Sequence, residues 1–370
     1  MIIAQNAPRD QGDFSYLLIP LRVPPISCII PSLVKTLLTL RFTDSQLARL
    51  RAVSPQLEIV QKSVTEGFDS HATDPFFDGD EEIFYGFMPP RDLSRAPHLQ
   101  WVQLHSAGIN HLTDHPILDS PIRITTSSGI HAVPIGEFSI AMFAALARRV
   151  PRMALLQSRA EWPRDRWRTF LGTELHGKTL GVIGYGSIGR HVARIAKNGF
   201  GMRVLALSRS GTRPDRGYVE PGTGDPRGEF PDAWLAPQQL TDLLAQSDFV
   251  LVAAPLTPAT RGLIGTAELR AMKPSAFIVN IARAEIIDEA ALVRALKENW
   301  IAGAGLDVFP QEPLPAASEL WKLDNALIAP HISSATPHYD DRAVALFGEN
   351  LRRYLRGEEL LNLVNRKNGY

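Results

Sequence analysis

Cysteine is almost missing. The 370-residue chain has one, Cys28, so neither an internal disulfide nor a thiolate cluster for zinc can form. A reducing compartment is compatible with that usage. Charge of one sign is missing too: 39 Lys and Arg residues balance 39 Asp and Glu residues, without a basic block. The electrostatic footprint of a nucleic-acid binder is therefore absent, and a small-molecule ligand is expected instead. The ten histidines include no HExxH spacing, and no metal site is expected. The richest apolar stretch, Ile26 to Leu40, is interrupted by Pro31 and Lys35 and is too short to span a bilayer. The opening MIIAQNAPRDQGDF holds acidic residues and no apolar run behind a basic flank, so no secretory signal is expected and a cytoplasmic location is the default.

What is present is length and rhythm. At 370 residues the chain exceeds one ordinary hydrophobic core, which predicts two domains. From Phe14 to about Gly129, the runs YLLIPL, LEIVQ, EIFYGF, LQWVQLH and IRITT alternate with polar helical stretches, as in a parallel sheet with crossover helices. From about His131 to Arg159, apolar residues at helical spacing predict one long connecting helix. The alternation restarts with TLGVIG, RVLALS, FVLVAAP, FIVNIA, IAGAGLDV and ALIAP, runs of the kind buried on both faces of a parallel sheet. An amphipathic helix is predicted from about Pro337 to Arg356, returning to the first domain. Two segments break the rhythm. Arg209 to Pro237 is rich in Gly and Pro and is expected to lie on the surface as an insertion. Val23 to Arg41 separates a strand ending at Leu21 from a helix starting at Thr43, and is either a helical insertion or translated intron sequence.

The clearest motif is GYGSIG, with Gly184, Gly186 and Gly189 after a predicted strand and opening a helix. Glycines there allow a tight turn, close approach of a pyrophosphate and close helix-on-strand packing, while the helix N-terminus offers amides to phosphate. At the end of RVLALS, where an NAD site usually carries Asp or Glu, stand Ser208, Arg209 and Ser210. That set suits a 2′-phosphate, hence NADP in preference to NAD; an exposed loop arginine is the plainer alternative. Arg283 follows FIVNIA, Glu312 follows GLDVF and His331 follows ALIAP. Strand ends of a doubly wound sheet converge on one crevice, where an arginine would grip a carboxylate, a histidine protonate a forming alkoxide, and a carboxylate hold that histidine protonated. Taken singly, the three read more readily as a surface charge, a loop acid before Pro313 and a satisfied core histidine.

Together with GYGSIG, the segments APLTPATRGLIG, MKPSAFIVNIARAEIIDEAAL, AGAGLDVFPQEPLP and APHISSAT are similar, in order and spacing, to the signatures of the D-isomer-specific 2-hydroxyacid dehydrogenases. The resemblance implies that Arg283 binds the substrate's carboxylate and carbonyl, that Glu312 pairs with His331, and that His331 is the acid/base. It implies a dinucleotide site built by Ser187, Ile188, Pro255, Thr260, Ile281 and Ala282 besides the glycines, with Asp307 on the nicotinamide carboxamide. LQWVQLHSAGINHL resembles the substrate-side loop, whose amides at Ser106, Ala107 and Gly108 would receive the carboxylate. A homodimer through the helix after His131 is likewise implied. Ala284 and Glu285 stand where glycines are common in that family, and Gly136 where alanine is usual. QSRAEWPRDRW and PLPAASELW bring it nearest the glyoxylate and hydroxypyruvate reductase branch, with Trp321 reaching an active site or simply packed on the surface.

The sequence thus predicts an α/β protein of two doubly wound parallel-sheet domains, Rossmann-like and flavodoxin-like, with a cleft between them. Residues 1–150 plus 336–370 would form the substrate domain and 151–335 the dinucleotide-binding domain. The expected activity is hydride transfer from NADPH or NADH to a small 2-oxo acid. A dinucleotide-sensing regulatory protein of the same fold is the rival reading. Formate dehydrogenase, which pairs its histidine with glutamine, is disfavoured by Glu312.

Overall fold

The computed structural model describes residues 33–62, 73–209, 211, 214–215 and 217–366. Its first sheet holds β1 (Val34–Leu38), β2 (Leu57–Gln61), β3 (Ile83–Gly86), β4 (Trp101–Leu104) and β5 (Arg123–Thr125). All pair parallel in the order β2-β1-β3-β4-β5, so the strand order reverses between β1 and β3. The second sheet holds β6 (Thr179–Ile183), β7 (Arg203–Leu207), β8 (Ala233–Leu235), β9 (Phe249–Val252), β10 (Phe277–Asn280), β11 (Gly303–Leu306) and β12 (Ala326–Ile328). Its order β12-β11-β10-β9-β6-β7-β8 is again all parallel, reversing at β6 and β9. The helices are α1 (Asp44–Arg51), α2 (Ala132–Ala147), α3 (Val150–Ser158), α4 (Arg166–Thr169), α5 (Ser187–Phe200), α6 (Leu240–Gln246), α7 (Thr266–Ala271), α8 (Glu289–Lys297) and α9 (Tyr339–Leu355). Strands such as FVLV and FIVN are buried along their whole length, as helices on both faces of a parallel sheet require.

The C-terminal helix α9 returns to the first sheet. Val344, Phe347 and Leu351 pack among Leu38, Phe42, Tyr85 and Trp101, and the Asp341 carboxylate lies 2.9 Å from Arg49 on α1. Among the described residues no helix is long and apolar enough to cross a membrane.

Three local expectations need correction or relocation. YLLIPL lies outside the described residues; the strand that feeds the Thr43 helix is β1, inside the supposed insertion. Leu37 and Leu38 are fully buried there, and Thr43 caps α1 reciprocally with Gln46. The charge that disguised this strand, Lys35, sits near its start with its ammonium 2.6 Å from Asp80. The single long helix is two. Arg149 takes a left-handed backbone (φ 57°), and Pro151 cannot accept a continuing helix. The Ala147 carbonyl that Pro151 would leave unpaired accepts from Thr173 N instead (3.0 Å). Third, the Arg209 to Pro237 segment is more than a surface loop. It contributes edge strand β8, and it buries Asp225 to 2% exposure. That carboxylate accepts from the Tyr185 hydroxyl (2.7 Å), Glu229 N (2.8 Å) and Phe230 N (3.1 Å). The same segment reaches the other sheet's side through Tyr218 N, which donates to Asn362 Oδ1 at 3.0 Å. Helix α2 itself packs Ile135, Met142, Phe143 and Leu146 into the core of the seven-stranded sheet.

Candidate active site

The glycine turn sits at the carboxyl end of β6, where the strand order reverses, and each glycine has a separate reason. A Cβ on Gly184 (φ 98°) would fall 2.5 Å from Ala254 N, so the turn passes tightly under the end of β9. A Cβ on Gly189 would lie 2.4 Å from Gly184 O and 2.9 Å from Val182 Cγ1, which is the close helix-on-strand contact. Around Gly186, the residue that caps α5, no atom lies within 4 Å of a Cβ, leaving open space in front of the helix N-terminus. Open space at the middle glycine, walls at the other two and a 14-residue helix behind them fit a pyrophosphate on the amides of Ser187 and Ile188. Ile188 itself packs against the core below.

The neighbouring segments complete that rim. Thr260 does not project freely: its hydroxyl donates to Pro255 O (2.7 Å) and accepts from Thr257 N (2.8 Å), so it shapes the turn after β9. Ile281 is buried, and Ala282 N donates to the Asn280 side chain at 3.0 Å. Ser208, whose N donates to Leu235 O, and exposed Arg209 follow β7. Ser210 lies outside the described residues.

Three strand ends bring the chemistry together. His331 Nδ1 is 2.8 Å from Glu312 Oε2, while the other carboxylate oxygen of Glu312 accepts from Phe309 N at 3.0 Å. With Nδ1 so engaged, Nε2 is the nitrogen available to exchange a proton with a ligand. Burial works to raise the Glu312 pKa. The hydrogen bonds from His331 and Phe309 and the charges of His331 and Arg283 outweigh it and hold the carboxyl below its ordinary value. Arg283 is pinned by its own backbone: Nη1 donates to Ala282 O (2.7 Å) and Asn280 Nδ2 donates to Arg283 O (3.0 Å). From the first sheet, the loop Ser106–Gly108 faces it. A Cβ on Gly108 would lie 3.9 Å from Arg283 Nη2, and the Ser106 hydroxyl donates to Gly108 O, which holds the loop tight. An arginine, a histidine–carboxylate pair and a loop rich in backbone amides thus stand close to one another. That is a set suited to gripping a carboxylate and moving a proton beside it.

The model of the D-isomer-specific 2-hydroxyacid dehydrogenase NAD-binding domain matches residues 140–333. The chain belongs to the D-isomer-specific 2-hydroxyacid dehydrogenases. Among its relatives, a glyoxylate reductase of Thermococcus gammatolerans is 40% identical over 276 residues, 74% of this chain and 78% of the relative. One from Pyrococcus furiosus is 37% identical over 292 residues, 78% and 80% of the two chains. A D-isomer-specific 2-hydroxyacid dehydrogenase of Xanthobacter autotrophicus, solved with NADPH and MES, superposes with a TM-score of 0.72 at 27% identity. The match covers 92% of this chain and 100% of that one. This dehydrogenase is therefore an NAD(P)-dependent oxidoreductase of the 2-oxo acid and 2-hydroxy acid couple, with a nicotinamide dinucleotide as cofactor.

Two side chains that the sequence singles out make contacts in the dehydrogenase's site that sequence reasoning did not foresee. Asp307 is 1% exposed, and its two oxygens accept from Ile332 N (2.8 Å) and Ser333 N (3.0 Å), so it holds the turn just after His331. His331 itself has φ 54°, which such a clamp would maintain. Trp321, half exposed, donates from Nε1 to Pro315 O at 3.0 Å, tying down the chain beyond Glu312.

Proposed function

We propose that this dehydrogenase reduces a small 2-oxo acid, of the size of glyoxylate or hydroxypyruvate, to the D-2-hydroxy acid, and prefers NADPH. The observation that carries the reading is the Glu312–His331 pair standing beside Arg283 and opposite Ser106–Gly108. When bound, the reduced nicotinamide supplies the hydride. Arg283 and the amides of Ser106, Ala107 and Gly108 hold the substrate carboxylate, and the guanidinium polarises the adjacent carbonyl. His331 delivers a proton from Nε2 to the oxygen, and ionised Glu312 stabilises the imidazolium that carries it. The dinucleotide rests on Gly184 to Gly189, with the segments at Pro255, Thr260, Ile281 and Ala282 as its rim. Ser208 and Arg209 follow β7 at the position where an NAD site usually carries Asp or Glu, and they suit a 2′-phosphate. NADPH in the Xanthobacter relative supports that choice.

The proposed division is a substrate unit of 1–150 plus 336–370 and a dinucleotide unit of 151–335, with α2 spanning the crossing. A homodimer would cover the apolar side chains exposed along and after α3: Val150, Met153, Trp162, Trp167 and Leu171. The single cysteine suits a cytoplasmic enzyme. Steady-state turnover of a panel of 2-oxo acids with NADPH and NADH tests the reading. Glyoxylate and hydroxypyruvate should lead, and His331→Ala should lose turnover by orders of magnitude while still binding dinucleotide. Dinucleotide binding without turnover of any 2-oxo acid would instead favour a sensing role.

A further inference from the structure

Tyr339 opens α9, immediately after the chain has crossed back from the seven-stranded sheet. Its hydroxyl donates to the carbonyl of His105 at 3.1 Å, and its oxygen lies 2.8 Å from Nε2 of His131. His105 is the residue from which the Ser106–Gly108 loop departs. His131 is the residue that caps α2, where the chain makes its first crossing between the sheets. One hydroxyl therefore ties the end of the return, which carries it, to two other segments: the loop that faces Arg283 and the start of the outward crossing.

The surroundings make this a built contact. The rings of His105 and His131 lie 4.8 Å and 5.0 Å from that of Tyr339, and Phe87 meets His105 edge-on at 4.9 Å. The far side of the His105 ring is held by the buried Tyr85 hydroxyl, 2.8 Å from Nδ1. Burial, with the neighbouring His131, pushes the His105 pKa down to about 3. Burial pushes that of His131 down to about 4. Burial raises the Tyr339 phenol above its ordinary value. Burial thus biases both imidazoles toward the neutral form and keeps the phenol protonated.

We infer that Tyr339 is a positioning residue for substrate binding: its hydroxyl ties the loop that receives the substrate carboxylate to both chain crossings, so that the loop is set correctly against Arg283. The inference rests on the proposed role of that loop. Closing a crevice brings loop and guanidinium together only if the crossings hold one arrangement, and a hydrogen bond common to all three segments enforces it.

Tyr339→Phe tests this because it keeps the ring and its stacking and removes only the hydroxyl. The KM for the 2-oxo acid should rise about five- to tenfold, the yield of one lost buried hydrogen bond. The Kd for NADPH, read from protein fluorescence, should stay within about twofold. A general loosening would move both, whereas a positioning role moves only the first. His131→Leu should raise the same KM, and adding Tyr339→Phe to it should add little, since both act through one hydroxyl. An unchanged KM in Tyr339→Phe, a parallel loss of NADPH affinity, or full additivity overturns the inference. If the wild-type protein turns over no 2-oxo acid, the proposed reaction fails separately. Calorimetric binding of oxalate to the NADPH-loaded protein then decides the matter: weaker binding in Tyr339→Phe sustains the inference, and equal binding, or none in either protein, overturns it.

Discussion

Removing the Asp307 carboxylate should lower kcat through the backbone of His331, in graded steps set by a simple balance. A non-glycine residue at φ 54° costs about 1–2 kcal/mol relative to right-handed or extended backbone. Against this stand two hydrogen bonds, from Ile332 N and Ser333 N, to a carboxylate that is 1% exposed. At about 1.5–3 kcal/mol each, they exceed the strain in the wild-type protein. Asp307→Asn keeps one acceptor and turns an amide donor toward the other N–H. One bond then roughly balances the strain, the relaxed and native backbones become comparable in population, and kcat should fall about two- to fivefold. Asp307→Ala removes both bonds. The strain alone then favours the relaxed backbone by about 5- to 30-fold, and kcat should drop by the same factor. The assay is saturating turnover beside a separate measurement of dinucleotide affinity. A direct contact from Asp307 to the nicotinamide carboxamide predicts something else, a loss concentrated in the dinucleotide Kd. A kcat within twofold of wild type in Asp307→Ala, or a loss confined to Kd, refutes the backbone argument.

Glu312→Gln should lower kcat/KM for reduction about two- to fivefold, because the imidazolium loses a charged partner that is only partly shielded from water, and unchanged turnover would mean that the carboxylate does not support His331. In the wild type the Glu312 pKa is depressed, so the pair is intact above the ordinary carboxylate pKa and is lost only as pH falls through the depressed value. The acid limb assigned to it should therefore lie below the ordinary carboxylate range. Arg209→Ala should erase an NADPH preference of roughly 10- to 100-fold in kcat/KM with little change toward NADH, and competing-cofactor kinetics that show NADH already faster in the wild type would remove Arg209 from that role. Asp225→Ala strips a buried carboxylate from three donors and should destabilise the protein by about 3 kcal/mol or more in chemical denaturation; a loss under about 1 kcal/mol would mean that the insertion contributes little to the fold.

Strands whose core-facing residues carry no charge were legible, since apolar runs such as FVLV and FIVN read the same in sequence and in space. β1 was not, because Lys35 and Thr36 dilute the pattern and the charge is answered by Asp78 and Asp80, far away in sequence. β8 was hidden for the opposite reason. Three residues at a sheet edge within a Gly and Pro-rich segment carry too little pattern to announce a strand, and parallel pairing with β7 supplies what propensity does not. The break after Ala147 was in principle readable from Pro151, but apolar spacing on both sides masked it. For the site, the glycine turn is local and could be read directly. Arg283, Glu312 and His331 needed the family's pattern, because nothing in their spacing says that three strand ends meet.

Gly136 shows how a single departure from the family's pattern acquires a reason only in three dimensions. In the sequence it looks like a minor loss of helix propensity early in α2, where alanine is usual. In space, a Cβ there would fall 2.6 Å from Cδ2 of His191, a buried residue of α5. His191 cannot retreat cheaply, since its Nδ1 accepts from Gly224 N at 3.2 Å, and Gly224 belongs to the same insertion that packs Asp225 behind Tyr185 of the glycine turn. Tyr185 and His191 are both absent from the motif's glycine pattern, yet both are held by the insertion. Arg190 joins them, donating from Nη1 to Asp225 O at 2.6 Å. The missing methyl in α2, the histidine in α5 and the long excursion after β7 are therefore one packing solution, in which the helix spanning the crossing makes room for a side chain that anchors the insertion. Restoring alanine at position 136 would create the overlap that the glycine avoids, so the insertion and the glycine are consistent only together.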